Sequence, residues 1–96
     1  MINVIDIQAK EWFDKIYGNS YFCATITLNN KETIHIPFQY GYGQSYIQES
    51  KRVLTELNKI SPSDGTPLSI YCRDENIILN ATIRTNCKKR ELKNNS

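Results

Sequence analysis

The chain carries few of the side chains that catalyse reactions or bind metal ions. His35 is its one histidine, and its three cysteines, Cys23, Cys72 and Cys87, include no Cys-x-x-Cys pair. A structural zinc site needs four ligands at short paired spacings, and nucleophilic catalysis needs a nucleophile beside a base. We therefore expect a protein that is not an enzyme, with no catalytic residue, no metal site and no cofactor.

A denser group of binding side chains lies between Phe38 and Tyr46, where the sequence reads Phe-Gln-Tyr-Gly-Tyr-Gly-Gln-Ser-Tyr. Glycine lets a ligand approach the backbone, a helix N-terminus attracts anions, and tyrosine rings stack on bases. We predict a site for a small anionic ligand here, with cations supplied by neighbouring elements. The alternative is a purely structural turn whose tyrosines fill the seam between sheet and helix. The predicted ligand-binding residues are Tyr40, Tyr42, Gly43, Gln44, Ser45, Tyr46, Arg52 and Arg73.

A second group of aromatic and amide side chains lies between residues 12 and 21. Trp12, Tyr17, Asn19 and Tyr21 could line a pocket or a subunit contact, because aromatic residues are frequent interface hot spots. The alternative for Asn19 is that it satisfies hydrogen bonds within a turn.

The elements that position these groups follow from hydrophobic periodicity. Residues 2–7 predict a strand, and residues 9–17 predict a short helix that ends at Gly18. Residues 21–28 and 33–40 alternate between apolar and polar side chains, which predicts a β-hairpin. Ile34, Ile36, Phe38 and Tyr40 would share one face of it. Pro37 cannot donate a ladder hydrogen bond, so the second strand of the hairpin should be an edge strand.

The second half of the chain predicts a long helix and a second hairpin. Ser45 and Gln48 fit a capping box at the start of a helix over residues 45–60. A proline- and serine-rich loop follows, and residues 68–72 and 77–86 would pair as strands. The order β-α-β-β-α-β-β predicts an α+β fold. Its sheet would have about five strands, antiparallel or mixed, with the long helix on one face and a short N-terminal helix.

Charge divides the 96 residues unevenly. Residues 1–83 carry seven Lys/Arg against nine Asp/Glu, whereas residues 84–96 carry five against one. We predict a single domain over residues 1–87 and a basic flexible tail over residues 88–96. The slightly acidic body disfavours nucleic acid as a partner. We also expect no membrane partner and a cytoplasmic location, because no apolar run is long enough to span a bilayer and the odd number of cysteines indicates reduced thiols.

Three segments together resemble a family of small, mostly uncharacterised phage and prophage proteins. They are Trp-Phe-Asp-Lys from Trp12, Gly-Asn-Ser-Tyr-Phe from Gly18, and Pro-Phe-Gln-Tyr-Gly-Tyr-Gly from Pro37. The resemblance covers roughly residues 6–55 and implies a viral setting in the host bacterial cytoplasm, without implying a mechanism. It makes a counter-defence role the expectation by association with that class of protein.

Together these observations predict a non-enzymatic phage counter-defence protein that sequesters a small anionic ligand, such as a nucleotide immune signal. A homo-oligomer could share the site between subunits, since one small sheet offers little concavity. One alternative is an inhibitor of a host defence enzyme, such as a CRISPR nuclease, that acts by protein–protein binding. A second alternative is a nucleic-acid-binding accessory protein.

Overall fold

The computed structural model describes residues 2–93 and has an α+β fold. Its elements are, in order, β1 (Val4–Asp14), β2 (Asn19–Leu28), β3 (Glu32–Tyr40), α1 (Ser45–Glu56), α2 (Leu68–Asp74), β4 (Ile78–Arg84) and α3 (Lys89–Lys93). The four strands form one mixed sheet in the order β3-β2-β1-β4. β2 is antiparallel to both of its neighbours, and β4 is parallel to β1. The α+β prediction is confirmed, but the five strands and the long helix were wrong.

The predicted helix over residues 9–17 is instead the second half of β1. β1 pairs with β2 over ten consecutive positions, from Ile5 opposite Leu28 to Asp14 opposite Asn19. This pairing satisfies the backbone of a segment too short to be stable as an isolated helix. Gly18 does adopt the predicted left-handed conformation, with φ of 71°, but it closes a hairpin turn rather than a helix.

The hairpin of β2 and β3 is confirmed, together with the edge position of the strand that contains Pro37. Three residues connect Leu28 to its partner Glu32, and the first two, Asn29 and Asn30, have positive φ, at 54° and 58°, which asparagine tolerates better than most residues. The side chain of Asn29 also ties this turn to the start of β1. Its Oδ1 accepts hydrogen bonds from the backbone N–H groups of Asn3 at 2.7 Å and Val4 at 3.0 Å.

A β-bulge in β3 changes which face its last residues occupy. Phe22 lies opposite Gln39 and Ala24 lies opposite Ile36, so β3 has one residue more than β2 between these pairs. The extra residue reverses the alternation after Ile36. The prediction that Phe38 shares a face with Ile36 was therefore wrong, as it was for Tyr40.

α1 begins at Ser45, as predicted, but ends at Glu56, four residues before the predicted end at residue 60. Its N-cap position is Gln44, which makes no side-chain capping bond, and Ser45 is already helical. The helix stops because Asn58 is left-handed, with φ of 58°. The N–H groups of Asn58 and Lys59 then donate to the carbonyls of Thr55 and Leu54, the pattern of a Schellman motif.

The predicted strand over residues 68–72 is the helix α2. Alternation of Leu68, Ile70 and Cys72 fits a strand, but Leu68 and Cys72 are also four residues apart and are the buried positions of this helix. Pro67 precedes it in an extended conformation and supplies carbonyl acceptors for the first turn. Within residues 2–93, β4 therefore has no antiparallel partner and pairs with β1 alone.

The main core lies between one face of the sheet and the helices α1 and α2. Its buried side chains come from every strand except β4 and from both helices. A smaller cluster lies on the opposite face, where Leu92 of α3 packs with Cys23 and Cys87 against Trp12 and Phe38. The predicted basic tail thus includes a short helix with a buried leucine, while residues 94–96 lie outside the described part of the chain. None of the helices within residues 2–93 is long and apolar enough to cross a membrane.

Gly41 should be intolerant of a side chain because the ring of Phe22 occupies the space. A Cβ built on Gly41 would lie 2.6 Å from Phe22 Cε1. We expect Gly41→Ala to lower the free energy of unfolding by about 1–3 kcal/mol, measured by chemical denaturation. Gly43→Asn is the control, since Gly43 has open space around it and asparagine tolerates its φ of 60°. Equal denaturation midpoints for the two variants would contradict this packing.

Candidate functional site

A ladder of aromatic rings crosses the sheet face that carries α3. Tyr21 stacks on Trp12 with ring centroids 5.5 Å apart and on Phe38 at 5.1 Å. Tyr40 meets Tyr21 edge-on at 5.9 Å, and Tyr42 meets Tyr40 edge-on at 6.5 Å. The rings therefore run without a break from β1 through β2 and β3 into the loop before α1.

The exposed apolar side chains of the described chain concentrate at the end of the sheet where this ladder lies. Five of the seven large exposed hydrophobic residues belong to the last positions of β1 and β3 and to the turns beside them. We call these five the aromatic end: Phe13, Ile16, Tyr17, Tyr40 and Tyr42, which are between 47% and 83% exposed. Scattered apolar residues are normal on protein surfaces, but a concentration at one place marks an interaction site.

The turn that carries Ile16 and Tyr17 is held by Asp14. Its Oδ1 accepts hydrogen bonds from the N–H groups of Ile16 at 2.9 Å and Tyr17 at 3.3 Å, and its carbonyl accepts from Gly18 at 2.7 Å. An acidic side chain commonly stabilises a tight turn in this way. The turn backbone is thus bonded, while the apolar side chains of Ile16 and Tyr17 remain in solvent.

Of the four predicted interface residues, one is exposed to solvent and three are half-buried. Trp12 and Tyr21 are half-buried and stacked, so they support the exposed rings. Tyr17 is exposed, whereas Asn19 is half-buried and lies opposite Asp14 at the end of the hairpin.

The predicted ligand site at the start of α1 is brought together only in part. Tyr40, Ser45 and Arg52 line one small surface cavity of about 300 Å³. Tyr46 is buried in the core, where desolvation raises the pKa of its hydroxyl. Arg73 lies on α2, with its guanidinium beside Asp74, and is not among the residues that line the cavity beside Tyr40.

The polar groups of this loop are largely occupied by one another. The Ser45 hydroxyl donates to the Tyr42 carbonyl at 2.7 Å and accepts from the Tyr42 N–H at 3.2 Å. The Ser45 N–H also donates to the Tyr42 carbonyl. Gly43 and Gln44 are exposed between them. The Arg52 guanidinium is held by Glu49 and Glu56 on the same helix. To bind the Ser45 hydroxyl or the Arg52 guanidinium, an anion would have to displace these hydrogen bonds; otherwise it would bind without contacting either group.

Two larger cavities are present, and the larger of the two includes Gln44 and Arg52 of the predicted ligand site. One of about 800 Å³ lies between α1, α2 and β4, with Ile47, Leu68 and Leu79 among its lining residues. The other, of about 480 Å³, lies on the polar half of the sheet face that carries α3 and includes Lys10 and Arg84. Neither includes a tyrosine of the aromatic end.

Cys23 and His35 lie on paired strands but do not form a nucleophile–base pair. The Nδ1 of His35 lies 3.4 Å from the hydroxyl of Thr25, and Cys23 packs with Cys87 and Leu92. Burial raises the pKa of the Cys23 thiol above its ordinary value, which disfavours the reactive thiolate. Among the described residues no three His, Cys, Asp or Glu side chains are grouped to hold a metal ion.

Basic charge adjoins the aromatic ladder because α3 folds back onto the sheet. The ammonium of Lys89 lies 5.4 Å from the centroid of the Trp12 ring, a cation–π distance. Arg84 pairs with Glu91, and the Lys88 N–H donates to the same carboxylate at 2.9 Å. These bonds lower the pKa of Glu91.

Comparisons of the chain with protein-family models, curated proteins and solved structures found no match. The chemistry of the described surfaces therefore has to support any functional assignment.

Sequence reasoning assigned no binding role to Phe13, Ile16 or Phe38. Phe13 and Ile16 fall within the predicted helix over residues 9–17, whereas the structure exposes them beside a hairpin turn. Phe38 was placed on the core face because the bulge was not foreseen. Pro37 was the one available signal, since proline inside a strand often accompanies a bulge.

Docking of α3 should depend on Leu92, whose side chain is fully buried. We expect Leu92→Ala to release α3 locally, because removing a buried leucine costs about 2–5 kcal/mol and α3 has few other apolar contacts. Tryptophan emission should shift to longer wavelength and the amides of residues 87–93 should exchange faster. Lys89→Ala should leave α3 docked. Unchanged exchange in Leu92→Ala would contradict this role.

Cys23 and Cys72 should be unreactive in the folded protein. Burial raises the pKa of both thiols, so folding opposes their ionisation. The contribution of the two protonated thiols to the free energy of unfolding is fully present below the ordinary thiol pKa of about 8.5. It is lost as the pH rises through the higher thiol pKa of the folded protein. We expect slow reaction with Ellman's reagent at pH 8 that becomes fast in denaturant. Reaction of native Cys23 at the rate of free cysteine would restore it as a nucleophile candidate.

Proposed function

We propose that the chain is a non-enzymatic binding module that docks the aromatic end of its sheet on a protein partner. The observation that carries this proposal is the concentration of exposed apolar side chains at one end of the sheet. Protein interfaces are enriched in aromatic residues, and a few such anchors provide most of the binding energy.

The ring ladder supports the proposal because it holds Tyr40 and Tyr42, two side chains of the aromatic end, in place before a partner arrives. Tyr40 packs on Tyr21, which is itself held between Trp12 and Phe38. Side chains fixed in advance lose less conformational entropy on binding, which leaves more of the contact energy as affinity.

The geometry favours a protein partner over a small anionic ligand. The cavity beside Tyr40 is small and open, whereas ligand sites are usually concave and bury most of the ligand surface. Tyr46, predicted to stack a base, is in the core, and Arg52 is occupied by two carboxylates. A broad, weakly concave surface with exposed rings suits a protein.

The resemblance to small phage and prophage proteins adds a setting to this proposal. In that setting the partner is a host defence enzyme in the bacterial cytoplasm, and the chain inhibits it by occupying a surface. This is the protein-binding alternative predicted from the sequence, and the aromatic end is the feature that now favours it.

Site-specific photo-crosslinking would test the proposal and identify the partner together. The photoreactive residue p-benzoylphenylalanine would replace Tyr17, Tyr42 or, as control, Leu57, an exposed apolar residue just after α1. In extracts of a bacterial host we expect one protein to be crosslinked from positions 17 and 42 and not from position 57. With that protein purified, Tyr17→Ala/Tyr42→Ala should weaken binding by about tenfold or more, and Leu57→Ala should not.

Two outcomes would overturn the proposal. Crosslinking that is equal from all three positions would show that the aromatic end has no preference for a partner. A rise of about 10 °C in the unfolding midpoint with one nucleotide of a cyclic-oligonucleotide and mononucleotide panel, abolished by Tyr40→Ala, would favour ligand sequestration instead.

A further inference from the structure

The two edges of the sheet are built differently. β3 carries Pro37 and a bulge, both of which obstruct pairing with a further strand. β4, the other edge, keeps an unbroken register with β1 from Ile78 to Arg84, and its interior has no proline and no charged side chain. Natural proteins usually protect exposed edges, so an edge left open is a candidate for pairing.

The free backbone groups of β4 belong to three alternate residues. The Ile78 N–H donates to the Asn3 carbonyl at 2.9 Å, so Ile78 and every second residue after it point their backbone groups toward β1. Leu79, Ala81 and Ile83 must therefore point theirs outward. Within residues 2–93 no backbone group forms a hydrogen bond to them across this edge.

The same three residues form an incompletely covered apolar row. Their neighbours on β1, Ile5, Ile7 and Ala9, are buried, whereas Leu79, Ala81 and Ile83 remain half-exposed on the core face of the sheet. The cavity of about 800 Å³ adjoins this row at Leu79. The hydrophobic core thus extends to β4 at the open edge, where its side chains are only partly covered.

We propose that β4 pairs antiparallel with β4 of a second copy of the chain, centred on Ala81, to form a symmetric dimer. Each of the outward-pointing residues would exchange two hydrogen bonds with its opposite number, as in hydrogen-bonded antiparallel pairs. The result is one continuous sheet of eight strands, four from each copy. The aromatic end has no part in this contact, so the inference does not depend on the proposed function.

The side chains of β4 favour a second copy of the chain as the partner of this edge, because β4 is complementary to itself in this register. Leu79 meets Ile83 of the second copy and Ala81 meets Ala81, so the apolar row becomes continuous on the core face. On the other face Asn80 meets Thr82. Arg84 lies opposite Ile78 rather than opposite Arg84, so like charges do not meet, and its aliphatic stem can cover the exposed Ile78.

Two matched lysine pairs test the dimer by sedimentation equilibrium over a wide concentration range. Asn80→Lys/Thr82→Lys places like charges opposite each other across the proposed contact, while both positions stay solvent-exposed in a single chain. We expect wild type to be dimeric and this variant to dimerise about tenfold more weakly or not at all. Thr33→Lys/His35→Lys places the same charges on exposed positions of the opposite edge and should leave the dimer intact.

Amide hydrogen exchange of the wild-type chain gives a second readout that needs no variant. The amides of Leu79, Ala81 and Ile83 should exchange more slowly as the protein concentration rises. The proposal is overturned by a chain that stays monomeric at every concentration, by exchange at these amides that does not depend on concentration, or by lysine pairs that weaken association equally. It is also overturned by a dimer that Tyr17→Ala/Tyr42→Ala abolishes, because that dimer would use the aromatic end.

Discussion

The ten-residue pairing of β1 with β2 is the constraint on which the rest of the structure depends. It commits residues that could have formed a helix to a long hairpin, and so places the turn after Asp14 at the end of the sheet where β3 also ends. It also makes β1 an interior strand, with β4 parallel on its other side. Because side chains alternate along a strand, the same pairing sends Ile5, Ile7 and Ala9 into the core and Trp12 to the opposite face. Both the core and the aromatic ladder follow from this one register.

The bulge in β3 moves Phe38 and Tyr40 from the core face of the sheet to the opposite face. Without the extra residue, Phe38 would point with Ile36 into the main core; with it, Phe38 stacks on Tyr21 and Tyr40 reaches solvent beside the same ring. Gly41 then lets the chain pass close to Phe22 on its way to α1. A local irregularity thus supplies the rings of the proposed binding surface, as bulges beside functional sites often do.

What could be predicted from the sequence depended on how many residues carried each signal. The β2–β3 hairpin was predictable because alternation extends along both strands and two asparagines allow the left-handed turn between them. The segment from Leu68 to Cys72 was not, since five residues fit a strand and a helix equally well and tertiary packing decides. At the candidate site, Tyr40 and Tyr42 were recognised by residue type. Their contact with Trp12 through Tyr21 was not predictable, because it requires both the length of β1 and the bulge.

The two proposed surfaces gain from lying on different parts of the sheet. The order β3-β2-β1-β4 puts Tyr40 on the edge strand farthest from β4. The pairing of β4 with β1 ends at Arg84 opposite Lys10, before Phe13, so a dimer joined through β4 would leave both aromatic ends free. A single weak contact of exposed rings is limited in affinity, but two contacts on a rigid frame reinforce each other when the partner presents two matching surfaces. Oligomeric partners meet that condition because symmetry repeats each surface. In the proposed dimer the open edge would set the spacing between the two aromatic ends.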